Sequence, residues 1–69
     1  MRSKPLELAD RRIAEVEARI VRQQDLIAQL ERGGHDSAHA RDSLHEMKEL
    51  LMHFRELRDF LEKYLANYE

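Results

Sequence analysis

The sequence predicts an all-α fold, an antiparallel helical hairpin that dimerises into a four-helix bundle. In two stretches of the chain, apolar residues recur at alternating steps of three and four, which is the spacing of one face of an α-helix. A pair of glycines, Gly33 and Gly34, separates the two stretches. The composition is 38% charged and 42% hydrophobic, with two glycines and one proline, which is typical of long amphipathic helices.

The first helix is predicted over residues 5–32. Pro5 suits a first turn, because its missing N–H would have no intrahelical partner there, and Ser3 can cap that turn. We expect Gly33 to end this helix in the left-handed conformation. The apolar stripe of the helix consists of Leu6, Ala9, Ile13, Val16, Ile20, Gln23, Ile27 and Leu30.

The second helix is predicted over residues 37–66, with Asp36 or Ser37 as its cap. Because the loop is short, the two helices should pack antiparallel, with facing residues whose numbers add to about 70. Ile20 then lies near Leu51. The chain, 1–69, is predicted to be one domain. The stripe of this helix consists of Leu44, Met47, Leu51, Phe54, Arg58, Leu61, Leu65 and Tyr68.

The apolar residues outnumber those that one partner helix can cover. The additional ones are Leu50, Leu57, Phe60 and Tyr64 on the second helix and Val21 and Leu26 on the first. Exposed apolar surface of this kind indicates association, and a chain this short has a small core by itself. A twofold dimer of hairpins is the simplest closed solution, and a tetramer or a complex with another helical protein is the alternative. The predicted dimer interface consists of Leu50, Leu51, Phe54, Leu57, Leu61 and Tyr64.

Two polar residues interrupt the stripes. Gln23 has two interpretations. It is either an amide at the edge of the core that reaches solvent or a neighbouring hydroxyl, or a buried polar group at the dimer axis that fixes the register of the hairpins. Arg58 should lay its methylene groups over the seam and pair with Asp10 or Glu62.

Nucleic-acid binding by the dimer is an alternative to protein–protein interaction. In architecture the predicted hairpin is similar to Rop, a small RNA-binding dimer, although fold by itself does not define function. The net charge of −2 and the acidic residues between the arginines favour a solvated, salt-bridged surface instead. The residues that would contact phosphates are four arginines on neighbouring outer positions of the first helix, Arg11, Arg12, Arg19 and Arg22.

The sequence holds no arrangement typical of an enzyme or a metal centre, so we expect no catalytic activity, cofactor or metal. It has no cysteine, and His45 and His53 share a helix side with Glu49 on the outer, polar surface, without further converging ligands. The segment 45–48, His-Glu-Met-Lys, resembles the phosphoacceptor segment of histidine-kinase dimerisation domains. The Thr or Asn and the Pro that typically follow there are absent.

Two segments carry a further resemblance. Residues 9–20 read Ala-Asp-Arg-Arg-Ile-Ala-Glu-Val-Glu-Ala-Arg-Ile, and the turn at 34–37 reads Gly-His-Asp-Ser. Together with neighbouring apolar positions over 8–57, they resemble a set of short uncharacterised bacterial proteins that also form two-helix hairpins. The resemblance implies a free-standing bacterial hairpin, and it implies no activity, cofactor or catalytic residue.

A cytoplasmic location is expected from the hydropathy of the chain. No apolar run approaches the roughly 20 residues of a membrane span. The charged start of the chain is not followed by the apolar segment that a signal peptide requires.

Overall fold

The computed structural model describes residues 3–68, without the side chain of Tyr68. Within this range the chain forms two helices, α1 (Lys4–Arg32) and α2 (Ala38–Tyr68), packed against each other as an antiparallel hairpin. No strand occurs among residues 3–68. The predicted all-α hairpin is confirmed. Residues 1, 2 and 69 of the predicted domain, and the predicted place of Tyr68 on the stripe, lie outside what the structure describes.

The start of α1 follows the prediction from sequence. The hydroxyl of Ser3 accepts a hydrogen bond from the backbone N–H of Leu6 at 3.3 Å, which satisfies one of the donors that a helix start leaves unpaired. Pro5 lies in the first turn. The helix begins at Lys4, one residue earlier than predicted.

The prediction that Gly33 is left-handed is wrong, because the left-handed residue is Gly34. Gly33 has a φ of −83°, whereas Gly34 has a φ of 72°. The N–H of Gly34 donates to the carbonyl of Glu31 at 3.1 Å, and that of His35 donates to Leu30 at 2.8 Å. These two bonds form a Schellman motif, in which the left-handed residue is the one after the C-cap.

Both predicted capping residues contribute to the start of α2: Asp36 supplies the side-chain acceptor, and the carbonyl of Ser37, directly before the helix, accepts from the N–H of Arg41 at 2.9 Å. The Asp36 carboxylate accepts a hydrogen bond from the N–H of Ala38 at 2.9 Å. The hydroxyl of Ser37 is occupied elsewhere, since it accepts from Arg41 Nε at 3.2 Å and donates to the Glu31 carboxylate at 3.4 Å. The helix therefore begins at Ala38 and runs to Tyr68, against predicted bounds of 37 and 66.

The core is a narrow seam between the two helices. Val16, Ile20 and Leu51 form its central cluster, so the predicted approach of Ile20 to Leu51 is confirmed. Each fully buried side chain of this type contributes about 1.5–3 kcal/mol, and a seam this narrow gives a hairpin modest stability by itself. The buried residues in the described range are Ala9, Val16, Ile20, Ile27 and Leu51, with Ile13, Leu44, Met47 and Phe54 packed on the central cluster.

Candidate association surface

The hairpin has two broad faces, one on each side of the plane that contains both helices. On one of them, which we call the ion-paired face, carboxylates of α1 bind guanidinium groups of α2. The α1 residues are spaced by seven or fourteen, which keeps them on one side of the helix. The pairs are Glu31 with Arg41, Glu17 with Arg55 at 3.1 Å, and Asp10 with Arg58 at 2.5 Å.

Arg58 joins two carboxylates on the ion-paired face. Its Nε binds Asp10, and its Nη1 lies 2.8 Å from Glu62. The side chains of Arg58 and Asp10 are 33% and 30% exposed, so water screens this pair less than the pairs nearer the turn. The prediction of a pair with Asp10 or Glu62 is confirmed for both partners.

Glu31, at the end of α1, forms hydrogen bonds with side chains at the start of α2. Its carboxylate accepts hydrogen bonds from Arg41 and from the hydroxyl of Ser37. The hydrogen bond from the Arg41 guanidinium, followed by the positive charge of that group, holds the pKa of Glu31 below its ordinary value of 4.5. The ion-paired face thus extends from the turn to the far end of the hairpin.

Gln23 lies on the seam and contacts the other helix of the same hairpin. Its Nε2 donates to the backbone carbonyl of Ala40 at 2.9 Å, and the residue is half-buried. The residue thus lies at the edge of the core, and the partner of its Nε2 is a main-chain carbonyl where the sequence suggested a hydroxyl. The amide is close enough to reach a main-chain oxygen in the first turn of α2. A role in the register between two hairpins stays a prediction.

The opposite side, which we call the apolar face, exposes large apolar side chains. Leu50, Leu57 and Tyr64 follow one another at steps of seven and are 39%, 48% and 48% exposed. Leu8 and Phe60 flank them, and the Phe60 ring stacks on that of Tyr64 with centroids 6.1 Å apart. The additional apolar row predicted from the sequence is therefore exposed in the single hairpin.

Two shallow grooves run along the apolar face, and both helices contribute to each. The groove nearer the chain ends has a volume of about 260 Å³ and is almost entirely apolar, whereas the one nearer the turn has a volume of about 220 Å³ and includes charged groups. The first is lined by Pro5, Leu8, Ala9, Arg12, Phe54, Leu57 and Leu61. The second is lined by Arg19, Ser43, Glu46, Met47 and Leu50.

The residues predicted at the dimer interface divide into three groups. Leu50, Leu57 and Tyr64 are exposed on the apolar face. Phe54 and Leu61 are half-buried and line a groove. Leu51 is 9% exposed and belongs to the central cluster, where α1 of the same chain covers it.

Leu8 belongs to the apolar face and was not predicted. Its signal is present in the sequence as an apolar residue off the stripe of the first helix. Leu8 is 51% exposed and lies on the rim of the more apolar groove. It widens the face on the α1 side.

The four α1 arginines that are predicted to contact phosphates are all exposed, and two of them border the apolar face. Arg12 lines one groove and Arg19 the other. Arg12 also donates to Glu15 at 3.2 Å. Arg11 and Arg22 lie further round the helix and make no ion pair within residues 3–68. The predicted phosphate-contacting residues therefore share one side of α1.

The described residues contain neither a metal-binding cluster of three or more His, Cys, Asp or Glu nor a helix able to span a membrane. His45 pairs with Glu49 at 3.0 Å on the outer surface, with 75% of the histidine side chain exposed. This arrangement offers two ligand groups where zinc needs three or four.

No protein-family model, curated protein or solved structure matches the chain. The resemblance to short bacterial two-helix proteins stays a prediction.

Proposed function

We propose that this protein is a non-enzymatic interaction module that works as a homodimer, in which two hairpins join through their apolar faces into a four-helix bundle. The observation that supports the proposal is the exposed apolar row of Leu50, Leu57 and Tyr64, flanked by Leu8 and Phe60. Contiguous exposed apolar surface of this kind marks an association site in soluble proteins.

The size of the hairpin supports the same proposal. With a core that is a single seam, a chain of 69 residues needs stability from outside that seam, and it has no cysteine for disulfides. The hairpin measures 55 by 17 Å across its helices. A face of these dimensions is large enough for the roughly 800 Å² per partner that a specific interface buries.

Two matched substitutions test the proposal. Leu57 on the apolar face and Met52 on the far side of α2 are 48% and 53% exposed, so a charge at either position costs a single hairpin about the same. We expect Leu57→Glu to be monomeric and Met52→Glu to be dimeric by sedimentation equilibrium at micromolar concentration. Equal masses for the two variants and the unmodified protein would contradict the proposal.

Binding of RNA or DNA is the second candidate function. It is favoured by the exposure of Arg11, Arg12, Arg19 and Arg22 on one side of α1 in the single hairpin. Because Arg12 and Arg19 line the grooves of the apolar face, this function competes with the proposed dimer for that face. With two tyrosines and no tryptophan the protein absorbs weakly at 280 nm, so co-purifying nucleic acid is easily detected.

A charge-reversed variant separates the two functions. Salt-dependent RNA binding that weakens in Arg11→Glu, a variant outside both grooves of the apolar face whose mass should be unchanged, would establish the second function. Purified protein free of nucleic acid, with no binding at low salt, would exclude it.

A further inference from the structure

We infer that the second copy binds with its α1 over the α2 of the first copy, so that both turns lie at the same end of the bundle. The inference rests on the proposed dimer and specifies how its halves are oriented. The other twofold arrangement stacks α1 on α1 and α2 on α2, with the turns at opposite ends. Charge and register both favour the first.

The ion-paired face leaves opposite charges on the remainder of the two helices. It uses three acidic residues of α1 and three arginines of α2, one of which also holds Glu62. Apart from these residues, α1 carries six cationic and three anionic side chains, a net charge of +3. Apart from them and Glu62, α2 carries two cationic and five anionic side chains, a net charge of −3. Stacking the α1 of one copy on the α2 of the other brings opposite net charges together. Stacking α1 on α1 and α2 on α2 brings together helices whose net charges have the same sign.

Symmetry fixes the register of this arrangement. A twofold axis parallel to the helices keeps each residue at its own height along the bundle. The α1 of one copy therefore meets the α2 of the other at the heights found within a single hairpin. There, contacts join residues whose numbers add to about 70, as in Glu17 with Arg55 and Asp10 with Arg58.

At these heights, a row of side chains on α1 of one copy meets a row on α2 of the second copy that matches it in apolar character and charge. Next to the apolar face, at steps of seven, α1 carries Leu8, Glu15 and Arg22, and α2 carries Phe60, His53 and Glu46. Leu8 of one copy then faces Phe60 of the second copy, Glu15 faces His53, and Arg22 faces Glu46.

This pairing covers apolar side chains that a single hairpin leaves largely exposed and gives partners to two charged ones. Leu8 and Phe60 are 51% and 62% exposed, and the arrangement covers one with the other. Within residues 3–68, Arg22 and Glu46 make no ion pair in their own chain. Charges at the rim of an interface set partner orientation more than affinity, which is the role inferred here.

A charge swap tests the contact between Arg22 and Glu46 of the second copy. We expect Arg22→Glu to raise the dimer dissociation constant severalfold and the double variant Arg22→Glu/Glu46→Arg to restore it to within about twofold, since exposed ion pairs contribute 0.2–1 kcal/mol each. The control is Arg22→Glu/Glu56→Arg, because Glu56 lies on the outer side of α2 away from the apolar face. Equal recovery in both double variants would contradict the contact.

Spin labels at the turn test the orientation directly. The chain has no cysteine, so Ala38→Cys gives one label per copy, at the exposed start of α2. With the turns at the same end, the distance between labels should be roughly 20–30 Å, given neighbouring helices at 8–10 Å. A distance near the 55 Å length of the hairpin would overturn the orientation and keep the dimer. A monomeric mass without any dipolar signal would overturn the dimer as well.

Discussion

The two faces of the hairpin differ in how far their side chains find partners within one chain. On the ion-paired face, each carboxylate that contacts the other helix has a guanidinium from its own chain, as Asp10 has Arg58. On the apolar face, Leu57 and Phe60 remain 48% and 62% exposed. The charged groups of the ion-paired face find their partners within one chain, whereas the apolar side chains stay exposed, and the proposed dimer places its second copy on the apolar side.

The difference also separates two kinds of stabilisation. Exposed ion pairs contribute up to about 1 kcal/mol each and weaken with salt. Apolar burial contributes about 25 cal/mol per Å² and is insensitive to moderate salt. We therefore expect substitutions on the apolar face to change association, and substitutions on the ion-paired face to change the stability of the hairpin without changing its mass.

Leu51→Ala should cause the largest loss of stability, because it opens a cavity in the seam between the two helices. Truncation of a buried leucine costs about 2–5 kcal/mol, enough to unfold much of a protein this small. Circular dichroism at 222 nm during urea titration measures the loss. A variant that keeps its helicity and dissociates to folded monomers would place Leu51 at the dimer interface instead.

Leu57→Ala should cause the second largest loss of stability, and that loss should be larger than the one caused by Met52→Ala. The two side chains are exposed to a similar degree in one hairpin, so the difference between them reports burial in the dimer, which we expect to be worth about 1–2 kcal/mol per chain. Thermal unfolding at several protein concentrations measures it, since a dimer gains stability with concentration. Identical midpoints for the two variants would remove the distinction between the faces.

Arg58→Met should destabilise the hairpin by about 1 kcal/mol, because Asp10 and Glu62 lose the guanidinium between them. Arg55→Met removes a more exposed pair and should cost less. Urea titration gives both values, and the dimer mass should not change in either variant. Dissociation of the Arg58→Met dimer would show that the ion-paired face also takes part in association.

Gln23→Leu should change stability by less than about 1 kcal/mol. The substitution removes one hydrogen bond to the Ala40 carbonyl, an acceptor that retains its place in the ladder of α2. We expect the mass and the spin-label distance at the turn to match those of the unmodified dimer. A mixture of oligomers or of label distances would establish Gln23 as the residue that fixes the register of the dimer.

Glu31→Gln should have the smallest effect, and a pH-dependent one. The pKa of Glu31 is lowered by Arg41, so its pairing stabilises the hairpin above pH 4.5, and the contribution is lost as the pH falls through the lowered pKa. Thermal unfolding should therefore separate the variant from the unmodified protein at pH 7 and bring them together in strong acid. A separation that persists in acid would mean that the charge of Glu31 is not responsible.

Much of the fold follows from the sequence because each helix carries its own signals. The three-and-four spacing identifies the stripes, and Ser3 and Pro5 mark the start of α1. The partners of Arg58 follow from the antiparallel register. The sequence predicts the left-handed glycine one position too early, because either of two adjacent glycines can adopt that conformation and the hydrogen bonds of the turn select Gly34.

The division of the apolar residues between core and surface depends on the direction in which α2 faces α1. Leu50 and Leu51 are adjacent and equally apolar, yet Leu51 lies in the seam and Leu50 is exposed. Periodicity identifies a broad apolar arc on α2, and the rotation of the helix within that arc is set by packing against α1. For the same reason the pair of Glu17 with Arg55, which lies off both stripes, was not predicted.

The mass of the folded, unmodified protein in solution tests the central claim most directly. One chain has a mass of 8.2 kDa. Light scattering at micromolar concentration, on a sample whose helicity has been verified by circular dichroism, should give twice that mass. A helical, cooperatively unfolding species with the mass of a single chain would contradict the claim that the apolar face is completed by a second copy.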